Sequence, residues 1–326
     1  MTKDRRRLRI GWLSHHVEGV KPLHDLITAG YPIECIITLD AERLAIRSGA
    51  ANFAEIAVGY GLPCFRVRNI NDEETLDLLT RLDLDVLLVI GWSQILGERV
   101  LRSTKIGCFG AHASLLPANR GSAPVNWALI RGERYTGNTL IRLAEDVDSG
   151  DIVAQRRIEI SPFDNVATLY ERVAMTNSEM LLELVDTLLS GRRPDYTPQV
   201  SDGAPLLPRR RPEDGLIKWE HSAGDVYNFI RALTNPYPGA FSFLEGRKYL
   251  VWRAALLPLQ QQLGSPGTIL GPVYSDLVDA SGMLVACGVG GVVLLEIENH
   301  DGQRIQGASL AEGEFRGKWD TGGSGR

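Results

Sequence analysis

Cysteine is scarce in this chain: Cys35, Cys64, Cys108 and Cys287 are scattered along 326 residues. None falls in a Cys-x-x-Cys or Cys/His spacing, which leaves no zinc motif, and no metal is expected. They lie mostly in apolar runs and read as buried structural thiols in a reducing compartment. Long hydrophobic runs are missing as well. Nothing approaches the roughly twenty apolar residues of a membrane span. The basic start, Met1–Arg9, is followed by an apolar run, Leu8–Leu13, too short for a signal-peptide core. A soluble, cytoplasmic protein is expected. Positive charge is not in excess: 35 Lys and Arg face 40 Asp and Glu, a formal net charge of −5. Proteins that grip many phosphates carry a basic field, so a broad nucleic-acid surface is disfavoured.

What is present suits a packed core. Hydrophobic residues make up 44% and charged residues 23%, and the length fits two ordinary domains. In the first half two periodicities alternate. Short apolar runs at Leu8–Leu13, Ile33–Leu39, Cys64–Val67, Val86–Ile90 and Cys108–His112 read as strands. Helical spacing lies between them, as in Phe53, Ile56, Ala57 and Tyr60. A helix is expected from Asn71, with Asp72, Glu73 and Glu74 complementing its dipole. This alternation predicts a parallel sheet covered by helices. Ligands of such sheets sit beyond the carboxyl ends of the strands, which brings His15, Trp92 and His112 to one rim.

A long helix is expected over about Thr168–Ser190, ended by Gly191. Five prolines between Arg192 and Pro212 resist helix and central strand, and this stretch reads as a surface linker. A further helix follows at about Ser222–Thr234. Short β runs come next, at Phe241–Leu244, Leu250–Ala255, Asp276–Asp279, Leu284–Ala286 and Val292–Ile297, predicting a small antiparallel barrel. The tail from Gly317 is rich in glycine and serine and reads as loose.

Two stretches carry candidate chemistry. In Gly110–Glu133, His112 ends an apolar strand and opens a polar loop, where an imidazole can serve as a base near neutral pH. Ser122 can cap the next helix, with Pro124 in its first turn and Gly132 near its end. In Glu145–Ile152 the acids precede a glycine, a pattern equally suited to an exposed Asx-type turn. Its functional reading pairs Asp148 with His112. A carboxylate beside an imidazole stabilises the charged form and fixes the tautomer.

The ordered set His112-Ala-Ser-Leu-Leu-Pro, Arg120-Gly, Ala123-Pro, Gly132-Glu, Thr136-Gly and Asp148-Ser-Gly-Asp-Ile resembles the folate-dependent formyltransferase family. Ile90–Leu96 is similar to the folate-side strand and loop of its sugar N-formyltransferases. Arg209–Gly215 and Ile230–Phe241 are similar to the opening of their second domain. The closest resemblance is to the formyltransferase domain acting on UDP-4-amino-4-deoxy-arabinose. It implies an α/β, Rossmann-like, mostly parallel sheet followed by a small antiparallel, OB-like barrel. The corresponding divisions are a catalytic domain over 1–191, a proline-rich linker over 192–212 and a C-terminal domain over 213–326. The implied co-substrate is 10-formyltetrahydrofolate, whose formyl group moves to an amine. His112 and Asp148 take the catalytic roles. Gly91, Trp92, Ser93, Gln94, Ile95, Ala144, Asp146 and Val147 take the folate side. Ser114, Arg120 and Gly121 take the acceptor side.

One position departs from the pattern. The family carries an asparagine two residues before the histidine, and here that residue is Gly110. Losing one oxyanion donor slows such chemistry by about 10²–10³-fold. Three readings stay open: a formyltransferase with water, Gln94 or Asn119 in the gap; extra space for an unusual acceptor or another one-carbon reaction, formylfolate hydrolysis included; and a non-catalytic folate-binding relative. For the acceptor, the net charge favours a small amine, best an amino sugar nucleotide, over the tRNA of methionyl-tRNA formyltransferase. Hydroxyornithine-like amines also stay open. Among basic residues, Arg120 inside the motif loop is the better diphosphate candidate, and Arg209, Arg210 and Arg211 read as a solvated charge run.

Overall fold

The computed structural model describes residues 8–200, 203, 205–257, 259–277, 279–313 and 315–322. Residues 1–7 of the basic start and 323–326 of the glycine-rich tail lie outside the described residues. The chain divides into two compact units, one of residues 1–124, 135–159 and 170–208, the other of 125–134, 160–169 and 209–326.

The first unit holds a seven-stranded sheet: β1 Ile10–Leu13, β2 Ile33–Leu39, β3 Cys64–Val67, β4 Val86–Val89, β5 Gly107–His112, β6 Tyr135–Arg142 and β7 Ile152–Glu159. Their order is β3-β2-β1-β4-β5-β6-β7. The first five are parallel, in keeping with the two-sided burial of the central β1 and β4. Ile10, Trp12, Ile36 and Leu88 pack with Leu23, Leu26, Leu181 and Val185 on one face. Leu13, Cys35, Ile37 and Val89 pack with Leu76, Leu79 and Val100 on the other. Each such side chain contributes roughly 1.5–3 kcal/mol over exposure, which outweighs any single helix propensity.

Two strands escape the apolar-run reading. β6 and β7 join antiparallel. In β6 the buried residues include Asn138 and Thr139, and hydrogen bonds rather than apolarity satisfy them. Asn138 Nδ2 donates to Asn177 Oδ1 at 2.6 Å, and Thr139 Oγ1 to the Ser114 carbonyl at 2.7 Å. The helix expected from Asn71 begins at Glu73, because the Asn71 side chain is engaged elsewhere: its Nδ2 donates to the Ile95 carbonyl and its Oδ1 accepts from the Gly97 N–H. The long helix runs over Val166–Leu189. Among the described residues no helix is long and apolar enough to cross a membrane.

The second unit is built on an antiparallel sheet of β8 Ala240–Leu244, β9 Arg247–Leu257, β10 Ile269–Val273, β11 Gly282–Ala286, β12 Gly291–Glu298, β13 Arg304–Gln306 and β14 Trp319–Asp320. The path runs β10-β11-β12-β9-β8-β14, with β13 on β12. An antiparallel bridge between Thr268 and Lys318 joins its two ends and closes the barrel. The helix Ala223–Leu233 starts at Ser222, whose Oγ accepts the Asp225 N–H, and buries Val226, Ile230 and Leu233. The strand expected at Asp276–Asp279 is not one: its described residues lie in the connection between β10 and β11, and Val278 is outside the described residues. The strand is instead β10, which carries Gly271 and Pro272. Proline is tolerated there because the barrel-closing pairing involves only the start of β10, at Thr268 and Ile269, and Pro272 lies beyond it with β11 as its strand neighbour. Arg210 is not a solvated charge either. It is half-buried over the rings of Trp127 and Phe229, at 5.1 and 5.4 Å from their centroids, and burial lowers its pKa.

Candidate active site

The strand order reverses between β1 and β4, the switch point where open α/β sheets bind ligands. The register pairs Leu13 with Val89 and Val89 with Gly110. Two residues further on, His15, Gly91 and His112 therefore stand at one level across β1, β4 and β5. His15, Trp92 and His112 each stand at or just past the carboxyl end of one of these adjacent strands.

His112 is 9% exposed. Its Nε2 lies 2.8 Å from the Asn119 carbonyl. That oxygen can only accept, so Nε2 carries a proton. Nδ1 faces Asp148 Oδ2 at 3.5 Å. The loop after His112 is braced from below. Thr139, paired with His112 in the sheet, accepts the Leu116 N–H at 3.2 Å and the Gln155 Nε2–H at 2.8 Å on its hydroxyl oxygen. Asp148 has φ +49° in its turn, a left-handed conformation that aspartate tolerates better than most residues. Its Oδ2 also accepts the Gly121 N–H at 2.8 Å. Gly121 has φ +108°, and a Cβ there would stand 2.6 Å from the Leu207 backbone, so only glycine lets the N–H reach the carboxylate.

Gly110 leaves no gap. A Cβ on it would stand 2.9 Å from Leu143 Cδ2 and 3.2 Å from Cδ1 and Cγ. The space expected for a water or an unusual acceptor is filled by an apolar side chain that packs with the core. The Gln94 amide is anchored away from the gap: Oε1 accepts the Ile70 N–H at 2.8 Å and one Nε2 hydrogen goes to the Arg68 carbonyl at 2.9 Å. Asn119 contributes its backbone carbonyl to His112 instead.

The remaining candidates divide. Along the Gly91–Ile95 loop, Ser93 Oγ lies 3.0 Å from His15 Nε2, and the Trp92 and His15 rings are 5.5 Å apart. Trp92 Nε1 and His15 Nδ1 are buried with no hydrogen-bond partner among the described residues, while Ile95 is 61% exposed. An apolar wall with unpaired N–H and imidazole groups fits a planar heterocycle such as a pterin. Burial, with His16 and Arg47 nearby, lowers the His15 pKa to about 4, so the ring is neutral at pH 7. In the Ala144–Asp148 loop, the Asp146 carbonyl accepts the Ser149 N–H and hydroxyl, and Ala144 is exposed while Val147 is half-buried. Ser114 is buried and its hydroxyl donates to the Ala118 carbonyl at 2.7 Å. Arg120 gives Nε and Nη2 to Gln199 Oε1 at 3.2 and 2.7 Å.

Sequence reading missed Leu143 and Gln199. No local signal marks either, since each acts on residues far away in the chain.

A strand-end histidine facing a carboxylate, on a sheet with this order and followed by a small barrel, defines a class. The chain belongs to the formyl transferase family: residues 37–185 match Formyl transferase and residues 210–314 match Formyl transferase, C-terminal domain. Its fold is similar to that of HypX from Aquifex aeolicus in complex with tetrahydrofolic acid, at 20% identity over 95% of this chain and 47% of that one, TM-score 0.65. The chain thus spans about half the length of HypX. It is also similar to an N-formyltransferase from Helicobacter canadensis in complex with folinic acid and dTDP-3-aminofucose, at 12% identity over 88% of this chain and 98% of that one, TM-score 0.65. A third likeness is to methionyl-tRNA formyltransferase from Clostridium thermocellum, at 18% identity over 77% and 94%, TM-score 0.58.

Proposed function

We propose that this chain transfers the formyl group of 10-formyltetrahydrofolate to the amine of a small molecule, an amino sugar nucleotide, in the cytoplasm. In this reading residues 1–191 are the catalytic domain, 192–212 the linker and 213–326 the C-terminal domain. The observation that carries the proposal is the His112–Asp148 pair, with Nδ1 toward the carboxylate and Nε2 held by the Asn119 carbonyl. The folate supplies an activated formyl group, bound against Gly91–Ile95 and the Ala144–Asp148 loop. As the acceptor nitrogen bonds to the formyl carbon it must lose a proton. His112 Nδ1 takes that proton, and Asp148 stabilises the resulting imidazolium. The same proton is then available to the departing folate nitrogen, so charge and atoms balance. With Leu143 against Gly110, the imidazolium is the positive group nearest the oxyanion as it develops. A net charge of −5 and the sugar nucleotide held by the Helicobacter relative support a small acceptor over tRNA.

The test is incubation with 10-formyltetrahydrofolate alone, with amino sugar nucleotides and with hydroxyornithine, following tetrahydrofolate release. Release that requires the amino sugar, and falls about 10²–10⁴-fold in His112→Ala, is expected. Release without any amine would mean hydrolysis, and no release in any mixture would refute the enzymatic reading.

A further inference from the structure

The proline-rich stretch is no free tether. Thr197 pairs with Ile152, just past the Asp148 turn, through bonds of 2.8 and 2.9 Å in both directions. Leu207 pairs with Gly121: its N–H donates to the Arg120 carbonyl at 2.7 Å, and its carbonyl accepts the Ser122 N–H at 3.0 Å. One anchor lies at the start of β7, where the Asp148 turn enters it, and the other on the loop that follows His112. Between them lies Gln199.

The amide of Gln199 uses every group it has on these loops. Nε2 donates to the Asp148 carbonyl at 2.9 Å and the Gly150 carbonyl at 2.6 Å. Oε1 accepts both Arg120 contacts. Because the next residue, Gly121, donates its N–H to Asp148 Oδ2, the bonds form a closed circuit: Asp148 carbonyl, Gln199 amide, Arg120, Gly121 N–H, Asp148 carboxylate. The oxygen that ends this circuit is the one that faces His112 Nδ1. A left-handed aspartate in a turn has few contacts of its own to hold it, and the circuit fixes its backbone and its carboxylate together.

We propose that Gln199 is a positioning residue for formyl transfer, holding Asp148 opposite His112 from a segment that touches no reacting atom. This rests on His112 and Asp148 being the catalytic pair. It also reassigns Arg120: two of its donors brace the loops instead of waiting for a phosphate.

The experiment compares Gln199→Met, which keeps length and loses the hydrogen bonds, with Gln199→Glu, which keeps the Arg120 contact but sets a carboxylate against two carbonyls. Both are measured alone and in an Asp148→Ala background, with kcat, KM for donor and amine, and thermal unfolding. Displacing a catalytic group by about 1 Å can cost on the order of 10²-fold. A fall in kcat of about 10–100-fold is therefore expected, with each KM changed less than about threefold. In the Asp148→Ala background the same substitutions should do nothing further, because residues acting as a unit are non-additive. Unchanged kcat, an effect confined to KM, or a full additional loss in the Asp148→Ala background would each overturn the inference. If Asp148→Ala lowers kcat while both Gln199 variants do not, the inference alone falls. If Asp148→Ala leaves kcat unchanged, the catalytic pair falls and takes it along. Should Gln199→Met not fold, Gln199→Asn keeps the amide one methylene short, and an intermediate kcat is expected.

Discussion

Leu143 lies against the bare Cα of Gly110, its Cδ2 2.9 Å from where a Cβ would stand. A side chain at position 110 would have to displace the leucine methyls on that side of His112. Gly110→Asn alone should therefore disturb the site, not restore an asparagine donor. Overpacking of this kind costs about 1–3 kcal/mol. Urea unfolding should show that loss, and formyl transfer should fall. Adding Leu143→Ala should recover stability and raise transfer above the single variant. Higher transfer in Gly110→Asn by itself would mean that the leucine yields freely.

His15 is expected to make the protein acid-sensitive. Its pKa is about 4 when folded against a reference of 6.5. Between these values the unfolded chain binds a proton that the folded one does not, so stability falls as pH drops through the window and is flat above it. From pH 7 to 5 the loss is about 2 kcal/mol. His15→Asn should flatten that part of the denaturation profile. Equal slopes in both proteins would place the sensitivity elsewhere.

Gly150 is held by contact and not by a positive φ. A Cβ there would stand 1.8 Å from the Arg142 carbonyl, which is backbone and cannot step aside. Gly150→Ala should move the Asp148 turn away from His112. Transfer is expected to fall about 10²-fold, with the thermal midpoint reduced. Wild-type kinetics in this variant would show that the turn tolerates displacement.

The thiols should be quiet. Burial pushes Cys35 and Cys287 up to about 12 and Cys108 to about 11, and raises the half-buried Cys64. At pH 8 a thiol reagent should reach Cys64 at most, and slowly, because the thiolate is the reactive form. All four should react in denaturant. Rapid labelling of a second thiol in the native protein would contradict the burial.

Residue type and short-range period determined a good deal by themselves. The five apolar runs are strands β1–β5, and the central ones, β1 and β4, are buried on both faces and show only apolar residues and glycine. His112 and Asp148 stood out only through the ordered motif that resembles the formyltransferase family; alone, an imidazole at a strand end and an acid before a glycine suit structural roles as well. The tertiary structure decided the rest. β6 hides Asn138 and Thr139 in the core, and their partners, Asn177 and Ser114, come from other elements. β10 accepts a proline because the pairing that closes the barrel stops at Thr268 and Ile269, short of Pro272. Leu143 fills the Gly110 slot from 33 positions away in the chain. Gln199 reaches Asp148 across 51 residues and Arg120 across 79. Hydrogen bonds and steric exclusion act over a few ångströms, so pairings at such separations exist only once the fold has brought their loops together.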